Sequence, residues 1–368
     1  MSELPIREEL RGIEPYGAPQ LDVPVCLNVN ENPFPPSEAL VADAAAAVAD
    51  AVRGLNRYPD REAAGLRKAL ATYLERESGV TLRPEQVWAA NGSNEIMLQI
   101  FQAFGGPGRS ALSFAPTYSM YPEYARDTST AWITAPRRDD FTIDADAAVA
   151  AVTKHAPSVV LIASPNNPTG TAVPLELVRR LHAATTGMVV VDEAYAEFRR
   201  AGTPSALSVL REHPRLIVTR TMSKAFAFAG ARVGYAAASE QVIDALRVVR
   251  LPYHLSAVTQ AVAGAALSHA DELQARVNDL RVGRDELAAW LRSIGLEVAD
   301  SDANFVLFGR FPDRHAVWQG LLDRGVLIRE TGPDGWLRVS VGTPAEMAAF
   351  RSALTEVLGT TRSKGVTP

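Results

Sequence analysis

The sequence predicts a three-layer α/β/α domain with a mainly parallel sheet, followed by a smaller α+β domain, and three observations lead there. Short apolar runs at 87–90, 111–114, 159–163, 188–191 and 216–219 alternate with helical patterns. Uninterrupted apolar runs of this length between helices mark parallel strands covered on both faces. Three of them lead straight into polar, turn-rich sequence, as strands do where a sheet opens onto a ligand crevice. Beyond residue 255 the rhythm changes to a long helix, a short strand, a further helix and two more strands.

Taken in order, residues 1–35 are proline-rich and irregular, and read as an N-terminal arm that packs on another surface, a second subunit being one candidate. Helices are expected at 38–52 and 61–77, separated by Gly54-Leu-Asn-Arg-Tyr-Pro-Asp60, where Pro59 disfavours helix in the residue before it. The large domain is placed at 36–255, its first helix able to pack with the small domain, and the small domain at 256–358. There a long helical stretch begins near Ser256, followed by a strand at 304–308, a helix at 313–324 and strands at 326–329 and 336–341. The polar tail 359–368 is expected to be disordered.

The chain's 368 residues carry 37 Lys and Arg against 42 Asp and Glu, a net charge of −5, and 47% are apolar. That is a globular composition with enough chain for about two domains. Without a basic block there is no footprint for nucleic acid or an anionic membrane surface. Acids and prolines at the N-terminus are unlike a signal peptide, and the Ala-rich run 39–52 falls short of the ~20 apolar residues of a membrane helix. A single cysteine, Cys26, allows no intrachain disulfide, and six histidines without paired spacing suggest no metal site. Gly106-Pro-Gly108 loosely fits a dinucleotide loop but precedes a strand, where that loop has no use. A cytoplasmic protein acting on a small molecule is expected.

The polar sequences at the strand ends are Ser164-Pro-Asn-Asn-Pro-Thr-Gly170, Asp192-Glu-Ala-Tyr195 and Arg220-Thr-Met-Ser-Lys224. In an open parallel sheet all three meet in one crevice. Singly, Asp192 also reads as a helix cap, the proline segment as a turn and Lys224 as a solvated lysine. Their shared location favours a site. A fourth segment, Asn91-Gly-Ser-Asn-Glu95, opens an amphipathic helix whose free N–H groups suit an anion such as phosphate, an ordinary cap being the alternative.

Together these residues carry a resemblance. The three polar segments, the 32 residues from Asp192 to Lys224, and Arg232 eight residues further on resemble the fold type I pyridoxal 5'-phosphate (PLP) aminotransferases, class II subgroup. Within them, Pro15-Tyr16-Gly17, Leu27-Asn-Val-Asn-Glu-Asn-Pro33, Arg57-Tyr-Pro-Asp60, Ala89-Ala-Asn-Gly-Ser-Asn-Glu95, Pro252-Tyr-His-Leu-Ser256 and Ala303-Asn-Phe305 are similar to the histidinol-phosphate aminotransferases, especially those of actinobacteria. The similarity runs over about residues 5–355.

The resemblance implies a role for each residue. Lys224 would hold the cofactor aldehyde and, when released, shuttle a proton between Cα and C4′. Asp192 would keep the pyridine nitrogen protonated, so that the ring can take up electrons. Asn167 and Tyr195 would hydrogen-bond the ring oxygen O3′, and Tyr118 would stack on the ring face. Gly92, Ser93, Asn94, Ser223 and Arg232 would hold the cofactor phosphate. Tyr58 would reach the same phosphate from the neighbouring subunit, which implies a homodimer with shared active sites. Arg338 would clamp the substrate α-carboxylate, with Arg329 as a second positive group and Tyr16 contacting substrate phosphate across the dimer. Arg329 alone also reads as a surface partner of Glu330 or Asp334, whereas an arginine inside the apolar strand 336–341 needs a partner. His254, beside Tyr253 near the domain junction, reads as structural.

The implied reaction is transamination between L-glutamate and imidazole acetol phosphate, giving 2-oxoglutarate and L-histidinol phosphate in histidine biosynthesis. Two segments depart from the family pattern, Met120-Tyr-Pro-Glu-Tyr-Ala125 in being more aromatic and Phe228-Ala-Gly230-Ala-Arg232 in being less glycine-rich. Extra aromatic rings near the substrate would admit phenylalanine or tyrosine, which leaves an aromatic amino acid aminotransferase open. A PLP-dependent decarboxylase of a phosphorylated amino acid shares many of these motifs and also stays open. A PLP-sensing regulator would need a basic helix-turn-helix domain ahead of the fold, where only the short arm is seen.

Overall fold

The computed structural model describes residues 4–364, with side chains as far as Gly359. In chain order its strands are β1 (Val25–Cys26), β2 (Val87–Ala90), β3 (Ser110–Ala115), β4 (Ala131–Pro136), β5 (Val159–Ala163), β6 (Met188–Asp192), β7 (Leu216–Thr221), β8 (Gly234–Ala238), β9 (Glu297–Val298), β10 (Phe305–Gly309), β11 (Val326–Leu327), β12 (Arg329–Glu330) and β13 (Trp336–Ser340). The α-helices are α1 (Glu38–Arg53), α2 (Ala64–Ser78), α3 (Gly92–Phe104), α4 (Tyr121–Asp127), α5 (Ala145–His155), α6 (Leu175–Ala184), α7 (Glu240–Val249), α8 (Ala257–Ser268), α9 (Ala270–Ser293), α10 (Arg314–Leu322) and α11 (Pro344–Lys364).

Seven strands form one sheet in the order β2-β8-β7-β6-β5-β3-β4, and only β8 runs against its neighbours. The three-layer expectation holds because alternate side chains leave the sheet on opposite faces. Val160, Ile162, Val189, Val191 and Val218 enter one apolar core. Val159, Leu161, Met188, Val190 and Ile217 enter the other. Burying both faces of the same strands removes the polar alternation of a one-sided sheet, and that is why these strands read as continuous apolar runs.

A second, antiparallel sheet has the order β12-β13-β10-β9, and β1 of the arm pairs with β11. The arm is therefore tied to its own chain, Val25 opposite Val326 and Cys26 opposite Leu327. The expected strand at 326–329 is divided: β11 pairs with β1 and β12 with β13, so the chain changes sheet at Ile328. The helix expected from residue 61 begins at Ala64, because the Asp60 carboxylate accepts from the Ala64 N–H at 2.7 Å and Ala63 takes a left-handed φ of 48°. Ser256 caps α8, accepting from the Thr259 N–H at 3.0 Å, and the long helical stretch breaks at His269 into α8 and α9. Helix α1 packs on α8. The tail expected to be disordered from 359 is helical to Lys364, a correction, and its remainder, 365–368, lies outside the described residues. Among the described residues no helix is long and apolar enough to cross a membrane.

Candidate active site

The carboxyl ends of β3, β5, β6 and β7 and the start of α3 surround a cavity of about 470 Å³. Arm residues Tyr16, Ala18 and 28–31 line it, as do Arg329, Thr331 and Arg338 from around the four-stranded sheet. The expected convergence at the strand ends is realised: Asn167, Asp192, Tyr195, Ser223 and Lys224 all line this one space.

Asp192 is the last residue of β6, in register with Thr219 of β7, whose hydroxyl donates to Oδ1 at 3.1 Å. Tyr121 on α4 donates to Oδ2 at 2.9 Å and the Ala194 N–H to Oδ1 at 3.3 Å. The residue is only 7% exposed, and among the described residues no cation pairs with it. Burial outweighs those three hydrogen bonds and pushes its pKa up to about 6.

Lys224 sits just past β7, partly buried and facing the cavity, with Nζ donating to the Val29 carbonyl at 2.9 Å. Burial, with Arg338 nearby, lowers its pKa to about 8, so the amine gives up its proton more readily than a solvated lysine.

The phosphate-like corner is built from short-range geometry. Gly92, the first residue of α3, has φ +81°, and a Cβ there would lie 2.6 Å from Nη2 of Arg232. Only glycine lets that guanidinium lie over the first turn of the helix. Arg232 donates to Ser223 Oγ at 3.2 Å and to the Ala229 carbonyl at 3.1 Å. Ser93, Asn94, Ser223 and Arg232 line the cavity together, with Gly92 beneath them. A helix N-terminus, a hydroxyl and a guanidinium fork make an anion site.

At the opposite side, Arg338 of β13 is 6% exposed and lies 5.1 Å from the centroid of the Phe305 ring. It donates to the Asn28 carbonyl at 2.8 Å and to Oδ1 of Asn167, while its buried Nε finds no partner among the described residues. Burial, followed by repulsion from Arg329, lowers its pKa to about 10. Arg329 lines the same cavity. The carboxylates that could have neutralised it are engaged elsewhere, Glu330 by Arg314 and His315 and Asp334 by Arg314. The Tyr195 hydroxyl accepts from Asn30 Nδ2 at 2.9 Å.

The other singled-out residues divide between the cavity and its surroundings. Tyr58 is 79% exposed and stacked on Tyr253, outside the cavity of its own chain. Tyr16 lines its own chain's cavity, its hydroxyl 2.9 Å from Ser119 Oγ, whereas the resemblance placed its contact across a dimer. Tyr121 and Tyr124, the extra aromatic residues expected near the substrate, are core residues on α4 and do not line the cavity. Tyr118 does, its ring set edge-on to Tyr121. His254 stacks on Trp88 and bonds the Ala89 carbonyl at 2.9 Å, away from the cavity. Asn30, Tyr121 and Thr219 had no assigned role, and the only sequence signal for Asn30 was its place in the quoted segment Leu27–Pro33.

Residues 23–354 match the model of the family "Aminotransferase class I and II". The chain belongs to the class I and II aminotransferases. Curated relatives include a histidinol-phosphate aminotransferase of Thermobifida fusca, 65% identical over 98% of this chain and 97% of that protein. Another, from Mycolicibacterium smegmatis, is 55% identical over 100% of this chain and 97% of its own. Among solved structures, the histidinol-phosphate aminotransferase of Sinorhizobium meliloti in complex with pyridoxal-5'-phosphate has a TM-score of 0.82 at 26% identity, covering 92% of each chain. An aspartate aminotransferase mutant of Thermus thermophilus has a TM-score of 0.81 at 26% identity over 98% of this chain and 99% of that one.

Proposed function

We propose that this aminotransferase uses PLP to transfer an amino group between L-glutamate and imidazole acetol phosphate, giving 2-oxoglutarate and L-histidinol phosphate in histidine biosynthesis. The observation that carries the substrate reading is the pair Arg329 and Arg338, two cavity arginines without a carboxylate partner among the described residues. Both substrates are anions, and a carboxylate or a phosphate can fill the same fork. Full-length relatives at 55–65% identity carry the histidinol-phosphate name.

The residues present suit PLP. The Gly92–Arg232 corner matches a dianionic phosphate, and buried Asp192, with no cation paired to it among the described residues, suits a protonated ring nitrogen. When bound, PLP supplies a ring that takes up the electron pair left on the substrate α-carbon.

The chain's own residues do the rest. Lys224 Nζ holds the cofactor aldehyde, and its lowered pKa keeps the freed amine able to take the proton from the substrate α-carbon. Asp192 holds the ring nitrogen's proton, and Tyr121 and Thr219 fix the carboxylate that does so. Asn167 and Tyr195 orient the ring by its oxygen, and Tyr118 covers one face. Gly92, Ser93, Asn94, Ser223 and Arg232 anchor the phosphate. Arg338, Arg329 and Tyr16 bind the substrate's anionic groups. Because Arg338 is itself bonded to Asn167, substrate binding and ring orientation share one contact.

The arm is 1–35, the PLP-binding domain 36–255 and the small domain 256–358, and the enzyme is cytoplasmic and homodimeric. Support for the dimer comes from exposed Tyr58, from exposed Val52 and Leu55 shortly before it in the chain, and from exposed Leu251 close in sequence to its stacking partner Tyr253, apolar groups that suit a second copy whose cavity Tyr58 would complete. The experiment is product analysis: protein, PLP, glutamate and imidazole acetol phosphate should yield 2-oxoglutarate and histidinol phosphate in equal amounts. Release of CO₂ without 2-oxoglutarate would overturn transamination.

A further inference from the structure

We propose that Asn30 is a positioning residue: locked by Ser340, its side-chain amide donates to the Tyr195 hydroxyl and so turns the phenol's own proton into the cavity. The inference rests on the reading of that cavity as a PLP site.

The polarity of the network follows from counting protons. The Asn30 backbone N–H donates to Ser340 Oγ at 2.9 Å, so the serine hydroxyl's one proton goes to Asn30 Oδ1, 3.0 Å away. With Oδ1 engaged, the amide presents Nδ2 to Tyr195, at 2.9 Å. An amide nitrogen only donates, so the Tyr195 oxygen is the acceptor and its proton is free for a different acceptor. All four groups are buried, where an unmatched donor is costly and a mistaken orientation is disfavoured.

The backbone is shaped for this contact. Asn30 has φ +56°, a left-handed conformation that asparagine enters more readily than most residues. Asn304, just before β10, donates to the Asn30 carbonyl at 3.1 Å. Ser340 ends β13, two residues after Arg338, so one strand holds both the substrate-facing arginine and the residue that fixes the Asn30 amide. A phenol aimed at the ring oxygen favours that oxygen's anionic form, and the bound cofactor then gives up its proton at lower pH. The other titratable and charged groups around Tyr195 are Arg338 from β13, Asp192 from β6, Tyr118 after β3, Lys224 after β7 and Tyr16 from the arm.

The test uses Asn30→Gly, which keeps the left-handed backbone and removes the donor. In the PLP-loaded enzyme the pH midpoint of the cofactor's visible band should rise by about half to one pH unit, the size of one hydrogen bond. In a Tyr195→Phe background the same change should add almost nothing, since Asn30 acts through the phenol. Ser340→Ala, which frees the amide to turn over, should shift the midpoint the same way by less. In the cofactor-free protein, the ¹³Cζ resonance of Tyr195, assigned by Tyr195→Phe, should move in Asn30→Gly. An unshifted midpoint, or equal shifts in both backgrounds, overturns the inference. If wild-type protein forms no visible band with PLP, the cofactor reading falls, while an unmoved Tyr195 resonance independently overturns the amide contact.

Discussion

Arg329 of β12 and Arg338 of β13 stand directly opposite each other across an antiparallel pair, and both line the cavity. Like charges placed opposite on adjacent strands repel, and burial, with Arg329 adding to it, lowers the pKa of Arg338. An anionic substrate between them relieves it. Arg338→Ala should therefore lower kcat/KM for glutamate and imidazole acetol phosphate by about 100-fold or more, the usual cost of removing one partner from a buried charge pair. Affinity for PLP should fall far less, through the lost contact with Asn167 alone. Arg338→Lys keeps the charge but loses the fork, and should recover only part of the activity. Steady-state kinetics with a PLP titration checks all three.

Asp192 gives a stability prediction of opposite sign to its effect on activity. Its folded pKa, about 6, lies above the ordinary carboxylate value of 3.8. The native state thus binds more protons than the unfolded state between these values, and stability falls as pH rises through them. Asp192→Asn should stabilise the cofactor-free protein by roughly 1–3 kcal/mol at pH 7–8 and by nothing below about pH 4. The same variant should lose most transaminase activity. Thermal unfolding at the two pH values, with and without PLP, measures both effects.

Gly92→Ala places a methyl group 2.6 Å from the Arg232 guanidinium and forces alanine to φ +81°. The arginine must leave the helix terminus. We expect PLP affinity to fall about 10-fold or more, one charge-assisted contact being lost, with the far-ultraviolet circular dichroism unchanged. A cofactor titration of the purified variant reads this directly.

Tyr58 lies outside its own chain's cavity, so its expected contact with phosphate requires a second subunit. Mixing Tyr58→Ala with Lys224→Ala protein under limiting PLP, after subunit exchange, should restore activity above the mean of the separate variants, because one site in each hybrid is intact. No gain on mixing would count against the shared site.

Legibility in the sequence followed burial combined with bulky apolar side chains. Strands β5, β6 and β7 are covered on both faces, and their apolar runs announced them. β4 lies at the sheet edge with most side chains partly exposed, and β8 is Gly-Tyr-Ala-Ala-Ala, so neither shows such a run. The site residues that follow strand ends could be placed because sheet topology gathers them. Contacts between distant segments could not: Tyr121 reaches Asp192 across 71 residues and Asn30 reaches Ser340 across 310. The aromatic cluster at 120–125 misled for a related reason, since sequence does not say which face of a short helix turns inward.

The central claim, amino transfer from glutamate to a phosphorylated imidazole ketone, is tested most directly in half-reactions. The PLP enzyme is converted to its amino form with glutamate, freed of amino acid, and mixed with imidazole acetol phosphate or with phenylpyruvate while the visible band is followed. The account predicts rapid return with imidazole acetol phosphate and slow return with phenylpyruvate. Faster return with phenylpyruvate, or failure of glutamate to bleach the band at all, would contradict it.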